Sequence, residues 1–481
     1  MSDDVEIEKW REVFQCLNDK EIEYCHWKSN EHLISGLEGN TDIDILINRN
    51  QKKELQNILN NTGFRTLETP WLYSDPATEY RICYDVQNDR YLFFHIHYRL
   101  ILGGFLKEYQ IPWEEKILST RCKESDTGIY ISDPNIEIIL LFIRYALKIK
   151  NTDYLRSLVG GTYPSEDIIK EYKWLLERIE LDKVYDFTND LLDSKSASII
   201  LESIEKDQMN AQELKKLKGT IEDQVSIYRT YSKAGLIGRE FLGKRYKKLF
   251  RKTGRKPIII GRTPESGGYL VAVIGPDGAG KTTISKSLAN WLDWKVDTCY
   301  IYMGSNDEYT NFKKIISKMR RTYDKAPKKP AFLYDSLDIL WAVSISLSKR
   351  KKLLLAFRAR NKGTIVITDR FPQNQVQKIN DGPRLANYTD HRSDLARKLA
   401  NWEQKPYSWG ESNPPDVVLK LSVSPEVAFE RSDSNMETVE KKCDIVDKLI
   451  FKDSQVITLD ADQELEKVIA DAKSAVWKEI N

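Results

Sequence analysis

One stretch constrains this chain more than any other. Gly275-Pro276-Asp277-Gly278-Ala279-Gly280-Lys281-Thr282 fits the pattern G-x-x-x-x-G-K-[ST]. Its flanks decide how the pattern is read. Tyr269 to Ile274 is an apolar run of strand length, and Ile284, Leu288, Trp291 and Leu292 then recur at helical spacing. A strand, a glycine-rich turn and a helix aim backbone N–H groups and a helix N-terminus at one point, which suits a chain of phosphates. Glycine is needed where a Cβ would block close approach of the backbone. Gly275, Gly278, Ala279, Gly280, Lys281, Thr282 and Thr283 would form the cradle. Lys281 would reach the β- and γ-phosphates and Thr282 would ligate a metal ion. The expected ligands are ATP and Mg²⁺.

The order from Tyr269 onward is strand, helix, strand, helices, strand, helix, strand, helix. Strands are expected at Tyr269 to Ile274, Thr298 to Met303, Thr364 to Thr368, Val417 to Val423 and Gln455 to Leu459. Near-continuous apolar runs such as Ile365-Val366-Ile367 suit a parallel sheet covered on both faces. The fold class is therefore α/β, with a doubly wound parallel-sheet P-loop domain over residues 263–481. The 481 residues call for two or three domains. Residues 1–125 mix short strands and helices. Ile43, Ile45 and Ile47 alternate with Asp42 and Asp44, a strand with one polar face, and Tyr91 to Leu100 reads as a second, aromatic-rich strand. A helical extension over 126–228 follows, with Ile136, Ile139, Leu140, Ile143 and Leu147 on one helix face.

Residues 229–262 form a basic linker. Phe241, Leu242, Leu249 and Phe250 stand among Arg239, Lys244, Arg245, Lys247, Lys248, Arg251 and Lys252. Two readings stand: a basic amphipathic helix against an anionic membrane surface or nucleic acid, or a solvated linker helix whose few apolar residues dock on a neighbour. Over the whole chain 74 basic and 72 acidic residues nearly cancel, so the net charge says little and the distribution matters more; of the two anionic partners the membrane surface is the one expected rather than nucleic acid. Six scattered cysteines without a C-x-x-C pair argue for a reducing compartment and against a disulfide framework or zinc–thiolate site. Ala331 to Leu347 is apolar but is broken by Asp335 and Asp338, so a buried helix is expected there rather than a membrane span. The location expected is the cytoplasm, with the basic segment as a peripheral contact at the inner face of the membrane.

The C-terminal domain resembles the thymidylate kinases, a branch of the P-loop nucleoside monophosphate kinases. The loop carries Asp277 ahead of its Gly-x-Gly-Lys. Asp369-Arg370-Phe371 ends an apolar strand as the family's Asp-Arg-Tyr/Phe motif does. Pro415-Asp416 through Pro425-Glu426 to Arg431 is similar to the family's fourth strand, helix and lid-leading arginine, and Leu459-Asp460-Ala461 to its last strand. The resemblance implies that Asp369 holds the metal, that Arg370 clamps the acceptor's phosphate, that Arg431 closes over the transferred group, and that Asp277 touches the acceptor side. It also implies a homodimer. The chain departs from the family after the second strand. Tyr302-Met303-Gly304-Ser305-Asn306-Asp307-Glu308 carries no arginine where an Arg-Glu-Pro-Gly-type loop is expected, and the lid holds only Lys441 and Lys442 after Arg431. Asp381-Gly382-Pro383-Arg384 is a turn that would supply the missing cation.

The N-terminal domain resembles the nucleotidyltransferase superfamily, in the branch found beside surface-polysaccharide genes. His26-Trp27-Lys28-Ser29-Asn30 precedes Asp42-Ile43-Asp44, with Lys28-Ser29 where that branch has Lys-Gly. Asp-x-Asp on a strand puts both carboxylates on one face, as a two-metal transfer site requires. The resemblance makes Asp42 and Asp44 metal ligands. His95-Ile96-His97-Tyr98-Arg99-Leu100 is similar to the branch's Asp-x-His-Trp-Arg-Leu strand, with His95 where the third carboxylate is expected. Histidine ligates metals but brings no negative charge to balance two Mg²⁺ ions. An active transferase and a degraded binding module both remain open.

Three functional expectations follow. The first is an ATP-dependent kinase acting on a small acceptor, most simply a nucleoside monophosphate. The second is a two-headed surface-polysaccharide enzyme that phosphorylates a saccharide. The third is a non-enzymatic ATP-gated switch or defence module.

Overall fold

Short runs of buried β-branched side chains organise both halves of the chain. The computed structural model describes residues 8–70, 74, 77–104, 108–232, 234–242, 245, 261–305, 311–324, 331–389, 393–432 and 434–480. They fall into two units, Met1–Lys252 and Thr253–Asn481.

The first unit holds strands β1 (Tyr24–His26), β2 (Ile43–Ile47), β3 (Arg65–Glu68), β4 (Thr78–Asp85), β5 (Arg90–His97), β6 (Leu100–Leu102), β7 (Tyr109–Ile111), β8 (Cys122–Lys123) and β9 (Tyr130–Ile131). Within the main sheet the order is β3-β4-β5-β2-β1-β9-β8. β2 runs parallel to β5, with Asp44 opposite His95 and Leu46 opposite His97. The period of two divides β2 between two cores. Ile43, Ile45 and Ile47 pack with Trp10, Phe14 and Leu55 from the helices Glu8–Asp19 and Lys52–Asn61. Leu46 faces the other way, into a core shared with the helix Pro134–Lys148.

Two sequence expectations change here. The strand expected over Tyr91 to Leu100 ends at His97, and Leu100–Leu102 pairs separately with Tyr109–Ile111. The helix from Pro134 is buried all round, Ile138, Leu141 and Phe142 included, because the helices that follow it enclose its outer side. Asp133 caps it by accepting from the Asn135 N–H at 2.8 Å. In the basic segment Phe241 and Leu242 are exposed and Lys150 bonds Glu240, whereas Lys244 and residues 247–252 lie outside the described residues.

The second unit contains the short β10 (Thr263–Pro264), then β11 (Leu270–Ile274), β12 (Thr298–Tyr302), β13 (Ile365–Asp369), β14 (Val417–Ser422) and β15 (Gln455–Asp460). The last five match the expected strands to within one residue at each end. All pair in parallel, in the order β12-β13-β11-β14-β15. β11 and β13 are wholly buried, as a strand covered on both faces must be. The edge strand β15 departs from that expectation and is mostly exposed. Helices Lys281–Asp293, Ala331–Arg360, Asp394–Ser412, Met436–Lys448 and Leu465–Glu479 alternate with the strands. Among the described residues no helix is long and apolar enough to cross a membrane. Because β11 is central, the carboxyl ends of β11 and β13 lie side by side, where parallel α/β sheets bind ligands.

Candidate functional site

The turn leaving β11 is shaped by its glycines. Gly278 has φ +85° and Gly280 φ +80°, in the left-handed region where a side chain is strained. A Cβ on Gly278 would meet the Ala428 carbonyl oxygen at 2.4 Å, and one on Gly275 the Leu421 Cβ at 3.0 Å. Gly280 caps the helix Lys281–Asp293, so the positive end of that helix opens onto the loop. Lys281, 5% exposed, donates to the Pro276 carbonyl at 2.5 Å and stands 3.8 Å from Asp277. Burial, then the Arg370 charge, pushes its ammonium down to about 8 against the pull of Asp277 and Asp369.

From the neighbouring strand, Asp369 is fully buried and accepts from the Thr282 hydroxyl at 2.5 Å through Oδ2, which Tyr300 also approaches at 3.4 Å. Its other oxygen, Oδ1, is buried with no hydrogen-bond partner among the described residues. A buried, unbonded carboxylate oxygen beside a threonine hydroxyl fits a hard cation such as Mg²⁺, which takes oxygen ligands. Thr282 and Asp369 are the residues that would hold it.

Arg370 follows at φ +73°, a strained conformation for a residue with a Cβ. Its guanidinium lies 3.5 Å from Asp277 and 3.7 Å from Asp381. Lys442 donates to Asp277 at 2.6 Å. Burial pushes the Asp277 carboxyl up, but the Lys442 hydrogen bond and the Lys281 charge outweigh it and hold the group at about 2.

Of the residues singled out in the sequence, Asp277, Lys281, Thr282, Asp369 and Arg370 come together. Arg431 goes elsewhere: it ends the helix Pro425–Glu430 and donates to the Ala461 carbonyl at 2.9 Å. Arg384 brings its charge near the buried Lys349, and its backbone N–H donates to the buried Glu403 at 3.0 Å. Asn306, Asp307 and Glu308 lie outside the described residues.

Two cations join the cluster that local sequence does not point to. Lys442 reaches Asp277 from the lid segment. Lys349, 2% exposed on the helix Ala331–Arg360, bonds Asp381 at 2.8 Å. Lys349 opens the charged run Lys349-Arg350-Lys351-Lys352, in which local pattern does not separate the buried Lys349 and Lys352 from the exposed Arg350 and Lys351. Asp381 reaches it through a tight turn in which Asn380 and Asp381 have positive φ and Gln373 bonds three carbonyls. A Cβ on Gly382 would sit 1.7 Å from the Val376 oxygen, so this turn requires glycine.

In the first unit, Asp44 gathers Lys28 at 3.0 Å, His95 at 2.8 Å and His97 at 3.5 Å on one oxygen. Asp42, just before β2, is not among the donors that converge there. Burial pushes the Asp44 carboxyl up, and Lys28 with the two histidines reverses this and holds it well below the ordinary range. Ser29 takes φ +56° at the position that the resemblance gives to glycine. Close by in sequence, Asn30 donates to Glu137 from its backbone at 2.9 Å and from its side chain at 2.5 Å. Glu31, Glu137 and Glu171 bring carboxylate oxygens within 4.8 Å of one another.

No family model matches this chain. It is 26% identical over 233 residues to the uncharacterized ATP-binding protein YghS of Escherichia coli (strain K12), across 46% of this chain and 97% of that protein. It is 24% identical over 226 residues to the uncharacterized ATP-binding protein YghR of the same strain, across 43% of this chain and 86% of that protein. Among solved structures it is similar to deoxyadenosine kinase from M. mycoides with bound dCTP, at 14% identity and a TM-score of 0.26, covering 43% of this chain and 98% of that chain. The same enzyme with bound dATP gives 17% identity and a TM-score of 0.27, with the same coverage. Each of these relatives accounts for less than half of the chain.

Proposed function

We propose that the C-terminal unit is an ATP-dependent phosphotransferase acting on a small acceptor, in the manner of nucleoside and nucleoside monophosphate kinases. The observation that carries this reading is the Thr282 hydroxyl 2.5 Å from Asp369, at the mouth of a glycine loop that opens a helix. Relatives named as ATP-binding proteins support the donor side. In this reading the loop amides and Lys281 hold the phosphate chain, with Thr282 and Asp369 orienting the metal. Mg²⁺ supplies charge neutralisation at the transferring phosphoryl group. Arg370, held between Asp277 and Asp381, presents a planar guanidinium suited to bidentate contact with an acceptor phosphate or hydroxyl-bearing group. Asp277 and Lys442 lie on the same side and would trade their mutual ion pair for contacts to the acceptor.

Calorimetry with Mg·ATP, followed by an acceptor screen with γ-labelled ATP, tests the reading. Wild type is expected to bind and to label an acceptor. Lys281→Ala and Asp369→Asn are expected to lose at least ~100-fold in turnover, the scale of removing a preorganised charge from a transfer site. Equal activity in all three proteins would reject it.

A further inference from the structure

We propose that Asp44, His95 and His97 form a binding site for a single transition-metal dication of the Zn²⁺ class. This differs from the two-Mg²⁺ site that the Asp42-Ile43-Asp44 motif leads one to expect. That site needs oxygen ligands and several negative charges. Here Asp42 does not join the cluster, and the position awaiting a third carboxylate holds an imidazole. The donors that do converge are one carboxylate and two imidazoles, a set that suits Zn²⁺, Co²⁺ or Fe²⁺ better than Mg²⁺.

The distances fit one small ion. The three donor atoms are separated by 2.8 Å (Asp44 Oδ1 to His95 Nδ1), 3.2 Å (His95 Nδ1 to His97 Nε2) and 3.5 Å (His97 Nε2 to Asp44 Oδ1). A point ~2.1 Å from all three, the usual Zn–N and Zn–O length, lies about 1 Å above their plane. All three donors then lie on one side of the ion, in a set intermediate between three corners of a tetrahedron and one face of an octahedron, which leaves the other side open. Without a metal, three polar atoms face one another with too few protons for every contact to be a good hydrogen bond.

The rings are held for this task from outside. His95 stacks on Tyr80 at 4.5 Å and 10°, and His97 meets the edge of Trp27 at 5.2 Å. The backbone register of β2 and β5 fixes Asp44 opposite His95. Ligands anchored on paired strands and packed against aromatics need little reorganisation on binding. Three protein donors leave a fourth position open, as in catalytic rather than structural zinc sites. Lys28, 3.0 Å from Asp44, opposes a dication and at the same time favours an anionic oxygen, such as a phosphate oxygen or hydroxide, as the fourth ligand.

The test is Co²⁺ titration of the metal-stripped full-length chain, read by visible absorption and by calorimetry. The expected result is one ion per chain with the strong absorption of four-coordinate Co²⁺, displaced by Zn²⁺ and not by millimolar Mg²⁺. Affinity should fall at least ~100-fold in His97→Ala and in Asp44→Asn, more than loss of an outer-shell partner brings. Lys28→Ala should instead tighten binding about tenfold by removing a like charge, a gain that misfolding cannot produce. Absence of stoichiometric uptake by wild type would overturn the proposal, as would unchanged affinity in His97→Ala or Lys28→Ala.

Discussion

The buried pair Lys349–Asp381 offers the sharpest test of how the second unit is built. Lys349 has a side chain 3% exposed, bonds Asp381 Oδ1 at 2.8 Å and is 3.3 Å from the Asp381 carbonyl. Asp381→Asn keeps the shape but leaves an ammonium buried near two further cations, Arg370 and Arg384, which both press on it. Breaking a buried pair from one side costs about 3–5 kcal/mol. For a unit of this size each kcal/mol is worth about 2–4 °C, so the melting temperature of its transition should drop by roughly 6–20 °C. Lys349→Met should cost less, because Asp381 keeps Arg370 at 3.7 Å. The double variant should be more stable than Asp381→Asn alone, since removing both charges of a buried pair is often close to neutral.

The pH dependence has a definite sign. Burial pushes the Lys349 ammonium below its ordinary value, with Asp381 opposing that shift. Losing Asp381 lowers it further. A lysine depressed in the folded state destabilises at low pH and is relieved as pH rises toward its unfolded value. The defect of Asp381→Asn should therefore shrink between pH 7 and pH 10. Differential scanning calorimetry of the full-length chain reads this, with hydrogen exchange of peptides from β13 and Asp394–Ser412 to assign the transition. A shift under ~2 °C for Asp381→Asn, or strictly additive single variants, would refute the pairing.

Two further outcomes are expected. Gly278→Ala forces a left-handed alanine, worth ~1–2 kcal/mol, and drives its methyl toward the Ala428 carbonyl at 2.4 Å. Mg·ATP affinity measured by calorimetry should fall at least about tenfold, and an unchanged value would show that the loop is shaped otherwise. In the first unit, burial, with the charges of Glu171 and Glu31 adding and the Asn30 hydrogen bonds opposing, raises Glu137 to about 8 from 4.5, and Glu31 rises to about 7. A carboxyl raised in the folded state gives stability that is complete below its unfolded value and is lost as pH rises through the folded one. Stability of that unit should decline from pH 4.5 to 8, and Glu137→Gln should flatten the decline; denaturant midpoints across that range decide it.

Much of the second unit could be read locally. The glycine loop, the Asp369-Arg370 strand end and all five parallel strands follow from patterns within a few residues, because glycine spacing and apolar runs act over one element. The first unit was legible in outline through the alternation at Ile43, Ile45 and Ile47. Asp42 stands just before that strand, and the donors that converge are Asp44, His95 and His97, a grouping that the alternation does not reveal. Arg431 ends the helix Pro425–Glu430, and only the fold shows that its guanidinium donates to the Ala461 carbonyl, 30 residues on.

The sequence by itself determined a loop that needs glycine at Gly278 and Gly280, beside the apolar strands β11 and β13 that a covered parallel sheet buries. The tertiary structure alone decided which charges meet. Lys349 and Asp381 are 32 residues apart, Lys442 and Asp277 are 165 apart, and His95 and Asp44 are 51 apart. Local pattern reports periodicity and turn chemistry, whereas an ion pair or a set of metal donors depends on where strand register and helix packing bring distant side chains. Those distances are fixed only once the sheet is ordered and the helices are seated on it.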